Sequence, residues 1–189
     1  MIENYFPDFY YDSINHIDLD SLKAAGIKGF ILDIDNTLVA MHVKEADENA
    51  IAFVNKLRSM DFKVCILSNA TEGRVVRFNK NLSVQAVHRA FKPSGKAFLR
   101  AARMMELHPE NVAVIGDQIF TDIRGGNKVN MTTILVKPID KREIVYVRAK
   151  RIPEMVILKQ FSKNDAALLE KRRAWKKKSF DIESKKFKE

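Results

Sequence analysis

Apolar residues along this chain come in short unbroken runs separated by stretches of helical periodicity. Phe30, Ile31 and Leu32 form one run, residues 63–67 a second, Val112, Ala113, Val114 and Ile115 a third, and residues 133–136 a fourth. Runs without alternation suit strands of a parallel sheet whose two faces are both covered. Between them, Ile51, Val54 and Leu57 recur at helical spacing within residues 45–60. Residues 71–82 predict a second helix and 84–87 a short strand. Ser94 stands where an N-cap would start a helix running to Met105. A short helix is expected near residues 122–129. Residues 18–25 predict one or two helical turns closed by Gly26, after an aromatic opening segment. Strands and helices alternate throughout. The order predicts an α/β fold: a doubly wound parallel sheet with right-handed crossovers and a site beyond the carboxyl ends of its strands.

Polar residues follow these predicted strands directly. Asp33 and Asp35 come after the first, Ser68 and Asn69 after the second, and Asp117 after a later one. A parallel sheet gathers all of them at one edge, where Lys92 from a loop and Asp122, five residues beyond Asp117, can join them. Clustered carboxylates repel unless a cation neutralises them, and hard oxygen ligands favour Mg²⁺. With that charge offset, Asp33 can attack a phosphate. The Ser68 hydroxyl, nearby backbone N–H groups and the Lys92 ammonium would balance charge on the phosphoryl oxygens. Asp35, two residues along on the same side of an extended segment, can protonate the leaving alcohol and later deprotonate the attacking water. Taken singly, each residue has an ordinary alternative: Asp33 or Asp35 capping a turn, Ser68 or Asn69 starting a helix, Lys92 a solvated loop lysine.

Composition narrows the setting. With 46% apolar residues, 7 Gly and 5 Pro in 189 residues, the chain reads as one globular domain with a modest extension. Its single cysteine, Cys65, excludes an internal disulfide and lacks a CxxC partner, so a reducing cytoplasm is expected and Cys65 reads as a packed strand residue. The amino terminus has no signal-peptide pattern, and no window approaches 18 uninterrupted apolar residues. His16, His42, His88 and His108 lack metal spacing. Neither a GxGxxG fingerprint nor a GxxxxGK[ST] loop occurs, which argues against nicotinamide and P-loop enzymes.

Charge divides the chain unequally. Residues 1–140 carry 17 Lys/Arg against 17 Asp/Glu, whereas residues 141–189 carry 16 against 7. The expected organisation is therefore a catalytic domain over 1–140 and a basic, mostly helical extension over 141–189 with a frayed end. The helix is expected from Pro153 to about Lys178. Lys171, Arg172, Arg173, Lys176, Lys177 and Lys178, with Trp175 among them, could hold an anionic membrane, RNA or a ribosome; a solvated helix face packed on its own core is the plainer alternative. Oligomeric state is not encoded in these patterns.

The segment DIDNTLV resembles the first motif of the haloacid dehalogenase (HAD) superfamily. Ser68 is similar to its second motif, Lys92 to its third, and GDQIFTD (residues 116–122) to its fourth, in family order over about residues 28–137. The resemblance implies a HAD-like Rossmannoid fold and a phosphatase. It further implies Asp33 as nucleophile, Asp35 as acid/base, Asp117 as a direct magnesium ligand and Asp122 as an outer ligand or a partner orienting Lys92, with the Asp35 main-chain carbonyl also binding the ion. A response-regulator receiver shares an acidic cluster, a Ser/Thr and a Lys, but DxDxT first and GDxxxTD last argue against it. GIKGFILDIDNTLV and FKPSGKAF together are similar to the subfamily IIIA, YqeG-type group, related to phosphatidylglycerophosphate phosphatases.

Loop lengths bear on the substrate. The intervals from Asp35 to Ser68 and from Ser68 to Lys92 each have room for one helix and one strand, so no inserted cap domain is expected. An open cleft predicts a large or surface-bound phosphomonoester. Phosphatidylglycerophosphate is one such substrate and would place the enzyme peripherally at the inner membrane surface. A phosphatase-fold protein that binds RNA, a ribosome or a protein, and a nucleic-acid-end phosphatase, are the alternatives.

Overall fold

The computed structural model describes residues 2–140. The basic extension expected over 141–189, with its helix and its lysine cluster, lies outside the described residues. Six strands form one sheet: β1 (Phe9–Tyr11), β2 (Gly29–Leu32), β3 (Lys63–Leu67), β4 (Gln85–Val87), β5 (Val112–Gly116) and β6 (Thr132–Val136). Their order is β1-β6-β5-β2-β3-β4 and every neighbouring pair is parallel. All carboxyl ends therefore lie along one edge.

The unbroken apolar runs are explained by two covered faces. Phe30, Leu32, Val64, Ile66, Ala113 and Ile115 pack on one side with Ala50, Val54 and Leu57 of α2 (Glu48–Ser59) and Val75 and Phe78 of α3 (Glu72–Asn79). On the other side, Ile31, Cys65, Leu67, Val112 and Val114 meet Phe98, Ala101 and Ala102 of α4 (Gly95–Met104). Full burial of each large side chain contributes about 1.5–3 kcal/mol. Cys65 is wholly buried and its thiol is pushed up to about 12 by burial, which leaves it inert.

Helix boundaries follow local capping. α1 (Leu19–Ala24) begins where the Asp18 side chain accepts from Ser21 N, and ends at Gly26, whose φ of +89° a glycine adopts without strain. α2 starts later than expected because Asp47 caps it, accepting from Ala50 N at 2.8 Å. Ser94 occupies the N-cap position of α4 but its side chain makes no capping bond. The helix expected near 122 begins earlier, as a π-type turn over Ile119–Ile123 that continues into α5 (Arg124–Asn127).

The aromatic opening segment contributes a strand that periodicity did not reveal. β1 is three residues long and pairs with β6; Asp8 Oδ2 accepts from Thr133 N at 2.8 Å to seat it. Asn127 fixes the preceding backbone by donating to the carbonyls of Asn4 and Phe6. Neither the interval from Asp35 to Ser68 nor that from Ser68 to Lys92 holds more than a helix and a strand, so no cap domain is inserted in either.

Candidate active site

The sheet edge brings four charged side chains into contact. Asp33 follows β2 directly, its N–H donating to Ile115 O of the neighbouring strand, and Asp117 follows β5. Lys92 arrives from the loop after β4, and Asp122 from the π-type turn. The Lys92 ammonium donates to Asp33 Oδ1 and Asp122 Oδ1, each at 2.6 Å, and all four residues are buried.

Carboxylate oxygens of Asp33, Asp117 and Asp122 lie within 4.8 Å of one another, the one group of candidate metal-ligating side chains among the described residues. Three carboxylates against one ammonium leave a net charge of −2, which a divalent cation neutralises. The donors are all oxygens, the chemistry that suits Mg²⁺, so the residues fit a hard cation.

The site's electrostatics follow from burial and from the closeness of these charges. Burial pushes the Asp33 carboxyl up to about 7; Lys92 pulls it back, while Asp122 and Asp35 add to the rise. For Lys92, burial acts to lower the pKa, but Asp122 and Asp33 outweigh it and hold the ammonium above its ordinary value. The lysine thus stays charged in a buried site.

Backbone geometry sets these positions. In the turn after Asp33, Leu38 N and Val39 N both donate to Ile34 O, and Asn36 sits at φ +62°, a conformation its short polar side chain tolerates. The same turn presents Thr37, whose hydroxyl lies 3.4 Å from Asp117 Oδ1. Asn69 accepts from Lys92 N at 2.7 Å through Oδ1 and donates through Nδ2 to Lys92 O at 3.4 Å, so its amide grips the lysine backbone. Ser68 is buried beside it, and its Oγ accepts from Ala70 N. Asp122 is held from behind, its Oδ2 accepting from Gln118 N and Thr121 Oγ1.

Asp35 stands apart. Its side chain is 28% exposed and outside the carboxylate group, and Oδ1 accepts from Arg74 Nη2 at 2.9 Å. Thr37 and Arg74 were missing from the residues singled out by sequence. Thr37 had a signal, since it belongs to DIDNTLV; Arg74, mid-helix and 39 residues from Asp35, had none.

Gly116 makes the cluster possible. A Cβ there would overlap the Asp122 carboxyl carbon and lie 2.6 Å from its Oδ2. Gly116→Ala is expected to cost about 1–3 kcal/mol in a urea unfolding curve, the usual penalty of overpacking. By displacing the carboxylate it should also weaken the affinity for a divalent cation about 10–100-fold in a metal titration.

The HAD-hydrolase-like family model matches residues 90–144. The probable phosphatase YqeG of Bacillus subtilis (strain 168) is 40% identical over 159 residues, 84% of this chain and 92% of that protein. The chain belongs to the YqeG-type phosphatases of the HAD superfamily. Phosphatidylglycerophosphate phosphatase 1, chloroplastic/mitochondrial, of Arabidopsis thaliana is 25% identical over 170 residues, 82% of this chain but 47% of that protein. A HAD-superfamily hydrolase from Ehrlichia chaffeensis shares the fold, with a TM-score of 0.52 at 14% identity over 69% of this chain and 98% of that one.

Proposed function

We propose that this phosphatase hydrolyses phosphomonoesters by way of an aspartyl-phosphate on Asp33, with Mg²⁺ held by Asp33, Asp117, Asp122 and the main-chain carbonyl of Asp35. The observation that carries this reading is the convergence of three buried carboxylates and one buried ammonium where β2 and β5 end. Mg²⁺ bound there supplies the positive charge that lets an anionic nucleophile approach an anionic phosphate.

The chain's own residues carry the steps. A carboxylate oxygen of Asp33 attacks phosphorus as the ester P–O bond breaks, and Asp35 gives its proton to the departing alkoxide. Asp35 then takes a proton from water as that water attacks the phosphorus. The bond to Asp33 breaks, and inorganic phosphate leaves. Lys92 and the Ser68 hydroxyl balance charge on the phosphoryl oxygens, and Asn69 serves the phosphate side by fixing the Lys92 backbone.

For the substrate we propose phosphatidylglycerophosphate. Two supports are the uncapped intervals around the site and the activity named for the Arabidopsis relative. The terminal phosphomonoester of that lipid projects from a membrane, which suits an enzyme with no enclosing domain between its motifs. Among the described residues no helix is long and apolar enough to cross a membrane. We also propose a cytoplasmic catalytic domain over 1–140, the setting that the single Cys65 suits, with the basic residues of 171–178 holding it to anionic lipid. Phosphate release from phosphatidylglycerophosphate in mixed micelles with Mg²⁺ should exceed release from soluble phosphomonoesters and from a phosphorylated RNA end. Preference for the RNA end, with salt-sensitive binding to RNA and not to anionic vesicles, would discard the lipid and keep the phosphatase.

A further inference from the structure

We infer that Arg74 is a positioning residue for the acid/base Asp35. The inference rests on the acid/base reading of Asp35. Arg74 is the third residue of α3, and its guanidinium is held by three separate contacts. Nη2 donates to Asp35 Oδ1 at 2.9 Å, Nη1 donates to the Lys44 carbonyl at 2.8 Å, and the group lies over the Phe78 ring with its carbon 5.5 Å from the centroid. The fork therefore ties α3 to the loop after β2 at both Asp35 and Lys44.

This arrangement is more than an incidental surface pair. The Arg74 side chain is only 18% exposed, whereas the ion pairs that contribute little are those between fully solvated side chains. Arginine's planar fork sets both bonds in one plane, so the carbonyl of Lys44 and the ring of Phe78 fix where Oδ1 must sit. With Oδ1 engaged, Oδ2 is left to exchange a proton with the leaving oxygen and later with water. A partly exposed carboxylate without that tether samples other rotamers. Misplacement by about 1 Å can cost on the order of 10²-fold in rate even when binding is unaffected.

Leaving-group dependence separates positioning from folding. An alkyl alkoxide needs a proton as it departs; p-nitrophenolate does not. Arg74→Ala is expected to lower kcat for the best alkyl phosphomonoester of the assay above about 10–100-fold with little change in KM. The pre-steady-state burst of p-nitrophenol from p-nitrophenyl phosphate should stay near that of the unmodified enzyme. Arg74→Lys, which keeps the charge but not the fork, should recover part of the loss. In the Asp35→Asn background, Arg74→Ala should add nothing. Equal slowing of alkyl-ester turnover and of the p-nitrophenol burst by Arg74→Ala, no slowing of alkyl-ester turnover, or a full additional loss on top of Asp35→Asn would overturn the inference. If Asp35→Asn itself slows the alkyl ester and the p-nitrophenol burst alike, the acid/base reading fails and the inference goes with it; selective slowing by Asp35→Asn without any by Arg74→Ala defeats the inference alone.

Discussion

Asp33→Asn should abolish turnover while making the metal-free protein more stable. The activity loss is expected to be on the order of 10⁴-fold or more, because in the proposed reaction the substitution removes the atom that bonds to phosphorus. The stability gain follows from the site's electrostatics. The Asp33 carboxyl ordinarily titrates near 3.8, and burial raises it to about 7 in the fold. A carboxyl whose pKa is raised on folding destabilises the native state progressively as pH climbs from its unfolded to its folded value. An asparagine carries no such penalty, and its Oδ1 still accepts from Lys92. The gain should therefore be absent below pH 4, grow through about pH 7, and level off above it. In thermal melts it should amount to several degrees at pH 8, on the order of 2–4 °C for each kcal/mol relieved. Added Mg²⁺ should erase the difference, since the ion stabilises only the protein with the full carboxylate set. A variant inactive but equally stable at pH 5 and pH 8 would separate catalysis from this charge argument.

Lys92→Met has the opposite stability sign. Here the ammonium that bridges Asp33 and Asp122 at 2.6 Å is removed, and three buried carboxylates remain within 4.8 Å of one another. Taking away one member of a buried ion pair costs about 3–5 kcal/mol, largely because the remaining charges are left uncompensated. Metal-free denaturation at pH 8 should show a loss of that size. The loss should shrink at pH 5, where Asp33 is protonated, and shrink again with Mg²⁺ present. Turnover should fall on the order of 10²–10³-fold even when Mg²⁺ restores the fold, because in the proposed reaction Lys92 also balances charge on the transferring phosphoryl group. A denaturation midpoint that neither falls nor responds to Mg²⁺ would mean that the carboxylates are relieved by something other than this lysine.

The opposite signs arise from one arrangement, and much of it was legible before any coordinates. Unbroken apolar runs marked β2, β3, β5 and β6, since a strand covered on both faces has no polar side to alternate with. Parallel order then dictated that Asp33, Ser68 and Asp117 meet at one edge. β1 escaped because three residues with one side chain exposed carry no periodic signature; its place depends on Asp8 and Thr133, 125 residues apart. The helix expected near residues 122–129 starts earlier, because the π-type turn opens at Ile119.

Within the site, residue type and order revealed the chemistry but not its supports. Nothing in the spacing of Asn69 and Lys92 said that an amide would grip a lysine backbone. Arg74 lies within the helix predicted over residues 71–82, and only the fold brings it to Asp35. Long-range polar contacts of this kind leave no local pattern, because neither partner's neighbours change identity to accommodate them. Glycine 116 is the intermediate case. It was visible inside GDQIFTD, but its purpose, leaving room for the Asp122 carboxylate, is a matter of packing.

The nucleophile can be caught directly. Enzyme mixed with Mg²⁺ and a phosphomonoester labelled with ³²P in its phosphate, then quenched in acid within the first turnover, should carry a hydroxylamine-labile label. That label should map to the peptide containing Asp33, be missing from Asp33→Asn, and accumulate in Asp35→Asn, where the water step is slowed more than the transfer step for an activated ester. Stoichiometric phosphate release with no label at any time, or a label on a residue other than Asp33, would contradict a reaction through Asp33.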